Sequence, residues 1–427
     1  MKKLFLIILI AFVCMHGFAQ NISADRASDI AGRFVSQMPI ITRNDITLER
    51  VWDSSVLSEA NVTRGVVDEA PTFYTFSIGK CGFVIVAGEE VKNPIIGYSF
   101  EGSLSKEIPT GMLDYLAGVD AQIRSKRANS VVTRAAVTDE TKLGKEVVNL
   151  NTAKWGQHGP FNKLCFTNDG RQALTGCVPT AFAIVMRHHK WPDCGNGQIG
   201  YSPDGKTIEY FNLGHLYDWD KMPLDYSKGY TEEQADAVAV VMRDLGRAYG
   251  VTYEVTATVG YPNAEKMSRY FKYVELGGTG MTSRNPEIGG TGEEMWVRLI
   301  KESLENGCPI PYQADNSGTA SDARHIFVLD GYTDNGYYHF NWGWHGNCNG
   351  YFTLDNMDPT SGDQYAGSRN LDHKAIFNLR PKRETTAINE TITDENINKT
   401  IYDLAGRKVN EISHPGIYII NGKKVVK

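Results

Sequence analysis

The stretch Thr175-Gly176-Cys177-Val178-Pro179-Thr180-Ala181-Phe182-Ala183-Ile184-Val185-Met186, followed by Arg187-His188-His189-Lys190-Trp191-Pro192, decides the reading of this chain. From Val178 to Met186 it is an apolar run of helical length that ends in a basic turn and a proline. Pro179 suits a first helical turn, where its missing N–H has no intrahelical partner to lose. Pro192 suits a stop. Cys177 then stands at the N-terminus of a buried helix, where the helix dipole favours a thiolate, the nucleophilic form of cysteine. At this point a buried or disulfide-bonded structural cysteine is the competing reading.

A thiolate nucleophile needs a base, and the chain has ten histidines. His325 is the best placed. It lies between a polar loop, residues 315–324, and a strand-like run, residues 326–329, and such a junction holds a side chain firmly while leaving it open to a cleft. His188 and His189 are adjacent and point to different sides of a helix. They make a poor metal pair and instead complement the helix C-terminus. Gly195-Asn196-Gly197-Gln198-Ile199-Gly200 matches GxGxxG formally, but it follows a helix and precedes no helical run, so it reads as a loop.

Working outward, helices precede strands in the middle of the chain. Thr231-x-x-Gln234 is a capping box before Val238, Val241, Met242 and Leu245, with Gly250 as the stop. Thr291-x-x-Glu294 repeats the pattern before Trp296, Leu299, Ile300 and Leu304. Strand-like runs follow at 326–329, 337–342, 351–354 and 375–379, with a weaker one at 309–313 interrupted by two prolines. This order predicts an α+β fold. Ahead of it lies another α+β region: a helical pattern from Ala27 to Val35, strand-like runs at 72–77, 83–87 and 95–100, and a helix carrying Met112 to Ile123. A basic, polar stretch at 124–145 reads as an exposed linker, where proteolytic nicking concentrates. At the C-terminal end a Thr- and Asn-rich stretch leads into short apolar runs flanking Asn421-Gly422, a strong hairpin signal.

The first residues read as an export signal. Lys2 and Lys3 precede an apolar run from Leu4 to Val13, and Gly17-Phe18-Ala19 gives small residues at the cleavage positions. Cys14 is preceded by bulky Phe12 and Val13, which disfavours a lipoprotein site. The chain of 427 residues has 22% charged residues and a formal net charge of −6, with no basic run. Nucleic acid is therefore not an expected partner. Beyond Cys14 six cysteines remain, with no CxxC pair, so structural zinc is not expected. Setting aside Cys177 and Cys81, Cys165, Cys194, Cys308 and Cys348 allow three full disulfide pairings.

Gly176-Cys177, His325 and Asn341-Trp342-Gly343-Trp344, with Trp155-Gly156-Gln157 and Pro160-Phe161-Asn162 ahead of them, resemble the streptopain-like family of papain-fold cysteine peptidases. The resemblance covers the middle region and implies roles. Cys177 is the nucleophile, and His325 is the base that later protonates the leaving amine. Gln157 donates its side-chain amide to the oxyanion beside the Cys177 N–H, a contribution of about 3 kcal/mol to the barrier. Asn341 accepts from the His325 ring and Trp342 shields that bond from water, while Trp344 reads as core packing. The family has Gly before the histidine and Ala after it. Here Arg324 and Ile326 stand there, so Arg324 lines the substrate cleft and can narrow or charge it.

The implied architecture is a signal peptide (1–19), an inhibitory pro-domain (20–134), a linker (135–146), a two-lobed papain-like peptidase domain (147–383) and a small β C-terminal domain (384–427). The first folded region resembles the family's pro-domain, an intramolecular inhibitor removed by cleavage in the linker. The tail, through Tyr402-Asp403-Leu404-x-Gly406-Arg407 and Gly416-Ile417-Tyr418, resembles the C-terminal sorting domains of exported Bacteroidetes proteins. That implies contact with an export machinery and delivery outside the cell or to its surface. The leading expectation is an exported cysteine endopeptidase acting on proteins or peptides, made as a latent zymogen, with no cofactor. The alternatives are a thiol acyltransferase or amidase on the same fold, and a non-catalytic surface binding protein.

Overall fold

The structure is a computed structural model that describes residues 21–38, 47–59, 70–79, 82–91, 93–102, 104, 108–128, 141–202, 205–256, 258, 260–278, 280–286, 289–316, 325–354, 371–383, 401–403, 408–409, 417–420 and 423–426. The expected signal peptide, Cys14, Cys81, residues 129–134 at the end of the expected pro-domain, residues 135–140 of the expected linker and Arg324 lie outside them. The chain divides into two compact units, Met1–Lys382 and Arg383–Lys427.

The first unit opens with helix α1 (Ala24–Val35), whose buried stripe is Ala27, Ile30, Ala31, Phe34 and Val35 and whose N-cap is Ser23. Strand β1 (Leu48–Asp53) and the short helix α2 (Val56–Glu59) follow. Strands β2 (Phe73–Ile78), β3 (Phe83–Ala87) and β4 (Ile95–Ser99) then complete an antiparallel meander with β1. Strand β1 went unread because it is an edge strand with little burial and no apolar alternation. Helix α3 (Thr110–Ala128) ends this part. It runs five residues into the stretch from Arg124 that the sequence reading takes as linker. Arg124 pairs with Asp120 at 2.9 Å, and Arg127 pairs with Glu89 and donates to the Pro71 carbonyl at 3.0 Å, so these basic residues are tied down.

Next come β5 (Glu146–Asn149), α4 (Cys177–His189), the β6 (Gln198–Tyr201) and β7 (Glu209–Asn212) hairpin, α5 (Glu232–Tyr249), α6 (Ala264–Phe271), β8 (Thr282–Ser283) and α7 (Glu293–Glu305). Strands β9 (Ile310–Asn316), β10 (Ile326–Thr333), β11 (Tyr337–Asn341), β12 (Gly350–Thr353) and β13 (Leu371–Ala375) close the unit. The Thr231–Gln234 capping box is present, and Gly250 ends α5 in the left-handed region at φ 61°. Three local expectations are corrected. Helix α7 starts from Gly292, and Thr291 turns its hydroxyl to the Gly292 carbonyl, so no capping box forms there. Residues 198–200, read as part of a loop at 195–200, belong to β6 and pair with β7. The last strand lies at 371–375; beyond Ala375, Ile376 and Leu379 bury their side chains without ladder pairing.

Among the described residues one sheet of eleven strands runs through both parts of the unit, in the order β1-β2-β3-β4-β12-β11-β10-β9-β13-β8, with β5 added on β10, while β6 and β7 form a separate two-stranded sheet. Strand β4 of the N-terminal part pairs with β12, Tyr98 opposite Tyr351 and Gly97 opposite Phe352, so both parts of the unit share one sheet. Strand β10 is buried on both faces, as its continuous apolar run requires. Phe327 and Leu329 point into a core covered by α3 and α7, while Ile326 and Val328 point into a second core built on α4, α5 and α6. A third core packs α1 on β2, β3 and β4.

The β4–β12 joint is tight. A methyl placed on Gly97 would lie 2.4 Å from Phe352 Cδ1. Gly97→Ala is expected to destabilise the intact chain by about 1–3 kcal/mol through overpacking. Once the N-terminal part has been cleaved off, the peptidase part should melt as wild type. Thermal unfolding before and after cleavage checks this, and equal losses in both forms would contradict it.

The second unit is a four-stranded antiparallel sheet of β14 (Ile401–Asp403), β15 (Lys408–Val409), β16 (Ile417–Ile420) and β17 (Lys423–Val426), ordered β15-β14-β16-β17. Ile420 pairs with Lys423, the register that the two-residue Asn421-Gly422 hairpin predicts.

Candidate active site

Helix α4 begins at Cys177, and its apolar residues Val178–Met186 are all buried. Gly176 precedes it at φ 88°, a backbone conformation that turns the chain sharply into the helix. The backbone N–H groups of Cys177, Val178 and Ile326 point at the thiol and favour its ionisation. Burial outweighs them, and with the Asp114 charge nearby it pushes the Cys177 thiol above its ordinary range.

His325 stands immediately before β10, and Ile326 is the residue whose N–H meets the sulfur, so nucleophile and candidate base come from adjoining elements. The imidazole is largely buried and is pushed down to about 4 by that burial. Its Nε2 lies 3.5 Å from Asp114 Oδ2 of α3. A methyl at Gly111, one turn earlier, would lie 3.4 Å from Trp342 Cε3 and 3.5 Å from His325 Cβ. Helix α3 therefore covers the site. Both reacting groups are held in their neutral forms, thiol and imidazole.

Gln157 is buried, and its carbonyl accepts the Thr175 N–H at 3.2 Å, which fastens it two residues before Cys177. Trp155 anchors this segment, fully buried with its indole N–H donating to the Pro223 carbonyl at 2.8 Å. Asn341 ends β11 and is buried. Its Nδ2 donates to Thr152 Oγ1 and to the Ala153 carbonyl, each at 2.9 Å, and its Oδ1 accepts the Gly343 N–H at 3.2 Å. These are the bonds Asn341 makes in the covered form, where the sequence reading placed the His325 ring.

Trp342 is buried in an aromatic cluster with Phe327 (4.6 Å between centroids), Phe340, Phe352 and Tyr115 of α3, and it donates to the Cys348 carbonyl at 2.9 Å. Trp344 is half-buried and stands edge-on to His158, outside the main cores, so the expectation of core packing is corrected. His188 and His189 end α4 and bond the Gly307 carbonyl and the Tyr273 hydroxyl. Cys165, Cys194 and Cys308 carry thiols, so none of the three full pairings is realised. Among the described residues no group of three or more His, Cys, Asp or Glu side chains is arranged to hold a metal ion.

Sequence reasoning missed Asp114, Thr152, Asp330 and His339. Asp330 is buried between the His339 ring and the N–H and hydroxyl of Thr152. Burial opposes its ionisation, but the His339 charge and these hydrogen bonds outweigh burial and hold the carboxyl below its ordinary range. An acidic residue inside the apolar run 326–332 was the available signal.

Residues 155–352 match the Peptidase C10 family, and residues 19–123 match the Spi protease inhibitor. The chain is 27% identical over 410 residues to the thiol protease/hemagglutinin PrtT of Porphyromonas gingivalis, an alignment covering 89% of this chain and 44% of that protein. It is 25% identical over 394 residues to streptopain of Streptococcus pyogenes serotype M1, covering 86% of this chain and 93% of that one. The chain thus spans less than half of the first relative and nearly all of the second. A mutant fragment of Prevotella intermedia prointerpain A superposes with a TM-score of 0.56 at 23% identity, covering 77% of this chain and 98% of the fragment, which supports the papain-like fold. Two matches in tandem, inhibitor and then peptidase, place this chain in the Peptidase C10 family: it is a cysteine peptidase with a Spi-type segment ahead of its catalytic part.

Proposed function

We propose that this chain is the latent precursor of an exported endopeptidase that hydrolyses peptide bonds in proteins, and that its own N-terminal segment is its inhibitor. The observation that carries this is helix α3 lying against His325 and Trp342, with Asp114 against the imidazole and its charge near the Cys177 thiol. Residues 20–134 act as the pro-domain, 135–146 as the linker that is cut, and 147–383 as the peptidase. In the uncovered site His325 takes the Cys177 proton, and the thiolate attacks the peptide carbonyl carbon. The oxyanion is met by the Gln157 side chain and the Cys177 N–H. His325 returns its proton to the leaving amine, and water then releases the acyl group from sulfur. Asn341 orients the His325 ring, Trp342 covers that pair, and Arg324 lines the substrate cleft.

Export rests on the basic and apolar start of the sequence and on the four-stranded C-terminal unit, read as the part that meets the export machinery. Among the described residues no helix is long and apolar enough to cross a membrane.

The covered imidazole titrates near 4, against an ordinary value of 6.5. Between those values the uncovered state binds the extra proton, so covering is at full strength above about pH 6.5 and weakens as pH falls toward 4. Two to three pH units correspond to about 3 kcal/mol. The intact chain, followed by mass with an epoxide thiol probe, is expected to stay unlabelled at pH 7. Near pH 4.5 it should acquire one label on Cys177 and shorten within 135–146. A His325→Ala chain should lose the acid response. No labelling at either pH, even after an added protease cuts the linker, would refute the reading.

A further inference from the structure

Strand β10 is irregular where it passes the site. Val328 lies opposite Asn341 and Leu329 opposite Phe340, but the next pair is Gly331 with His339, so Asp330 is the extra residue of a β-bulge. Bulges re-aim a side chain and recur beside active sites. Here the bulge brings Asp330 Oδ1 to His339 Nδ1 and Oδ2 to the Thr152 hydroxyl, at 2.5 Å each, and to the Thr152 N–H at 3.1 Å. All four side chains of the chain His339–Asp330–Thr152–Asn341 are buried or nearly so.

The direction of each bond follows from what each group can give. A carboxylate only accepts, so the single hydroxyl hydrogen of Thr152 is committed to Asp330. Thr152 Oγ1 can then only accept, and the group 2.9 Å away on Asn341 must be its NH2. The Ala153 carbonyl, also acceptor-only, takes the second hydrogen of that NH2. The Asn341 amide is thus held in one of its two flipped states. Oδ1 is turned away from Thr152 and Ala153; it accepts the Gly343 N–H at 3.2 Å and keeps a second lone pair, the acceptor that an imidazole N–H requires.

We propose that Asp330 and Thr152 are positioning residues of the peptidase, a buried relay on the β10 bulge that, together with the Ala153 carbonyl and the Gly343 N–H, sets which end of the Asn341 amide is offered to His325. This rests on the proposed role of Asn341. Without the relay the Thr152 hydroxyl is free to donate, so one of the three bonds that select this flip is lost; the Ala153 carbonyl and the Gly343 N–H alone then hold the amide, and a smaller part of the enzyme carries a correctly held imidazole.

Full-length chains carrying Thr152→Val, Thr152→Ser, Asn341→Ala, and Thr152→Val with Asn341→Ala together test this after cleavage of the linker, with thermal unfolding as the check on folding. Thr152→Val keeps the shape and removes the hydroxyl. It should lower kcat about fivefold, one hydrogen bond's worth, with KM changed less than about twofold. Thr152→Ser should recover most of the rate. The double variant should be no slower than Asn341→Ala alone, because the relay acts only through Asn341. If Asn341→Ala is impaired but Thr152→Val is not, or if the two losses multiply, the relay is refuted while the role of Asn341 stands. If Asn341→Ala keeps full kcat, that role fails and the relay fails with it.

Discussion

Cys177→Ala is expected to yield a folded, full-length chain that neither shortens nor takes an epoxide probe. After an added protease cuts the linker, it should have lost kcat on the order of a million-fold. Losses of this size follow when the nucleophile of a covalent mechanism is removed, because what remains is rate enhancement from the oxyanion donors and binding alone. The fold should be spared. Cys177 is the first residue of α4 and only half-buried, while the helix is held by the buried run from Val178 to Met186 behind it. Replacing the sulfur by hydrogen there should cost about 1 kcal/mol or less, read as a small change in Tm. Intact mass and hydrolysis of a fluorogenic peptide check the chemistry. Residual hydrolysis within a hundredfold of wild type would mean that another group attacks the substrate. Loss of the folded state would mean that the cysteine is structural, the competing reading of the local sequence.

Much of this site was legible because its parts are local. A helix start needs an apolar run, a first-turn proline and a stop, and all three lie in 175–192, so Cys177 could be placed before any contact was known. His325 was legible as a loop–strand junction, and β10 does begin at Ile326. Gln157 and Asn341 carried no local signal and entered through the family resemblance alone. What stayed hidden is long-range. Asp114 lies 211 positions from His325, and nothing in the sequence of α3, which is buried all round from 112 to 120, distinguishes it from Asp120, which is bonded within its own segment by Thr72 and Arg124. Thr152 and Asp330 meet across 178 positions. The bulge that joins them is a matter of register, which periodicity inside one strand does not reveal. The missed sheet joint has the same cause: the runs at 95–100 and 351–354 were both read as strands, but not as neighbours.

The contact that should govern latency most is Tyr115. It is almost fully buried, although it belongs to the N-terminal segment, and its neighbours belong to the peptidase. Its ring meets Phe352 at 5.5 Å and Phe340 at 5.8 Å edge-on, reaches Trp342 at 6.1 Å, and its hydroxyl donates to the Thr353 carbonyl at 2.8 Å. Asp114 beside it holds His325. Uncovering the site exposes this ring, so the burial reads on the covering equilibrium more than on either part alone. Tyr115→Ala should shift that equilibrium by about 3 kcal/mol, the low end for truncating a buried aromatic, and so raise the uncovered fraction by roughly 150-fold. When opening is fast relative to labelling, the alkylation rate of Cys177 in the uncleaved chain follows that fraction and should rise as much. Tyr115→Phe keeps the ring and loses only the bond to Thr353, about 1 kcal/mol, so its rate should rise about fivefold. An unchanged rate in Tyr115→Ala with a lowered Tm would show that the ring stabilises the fold without holding the lid. Latency would then rest on the β4–β12 joint, and Gly97→Ala would be the variant that breaks it.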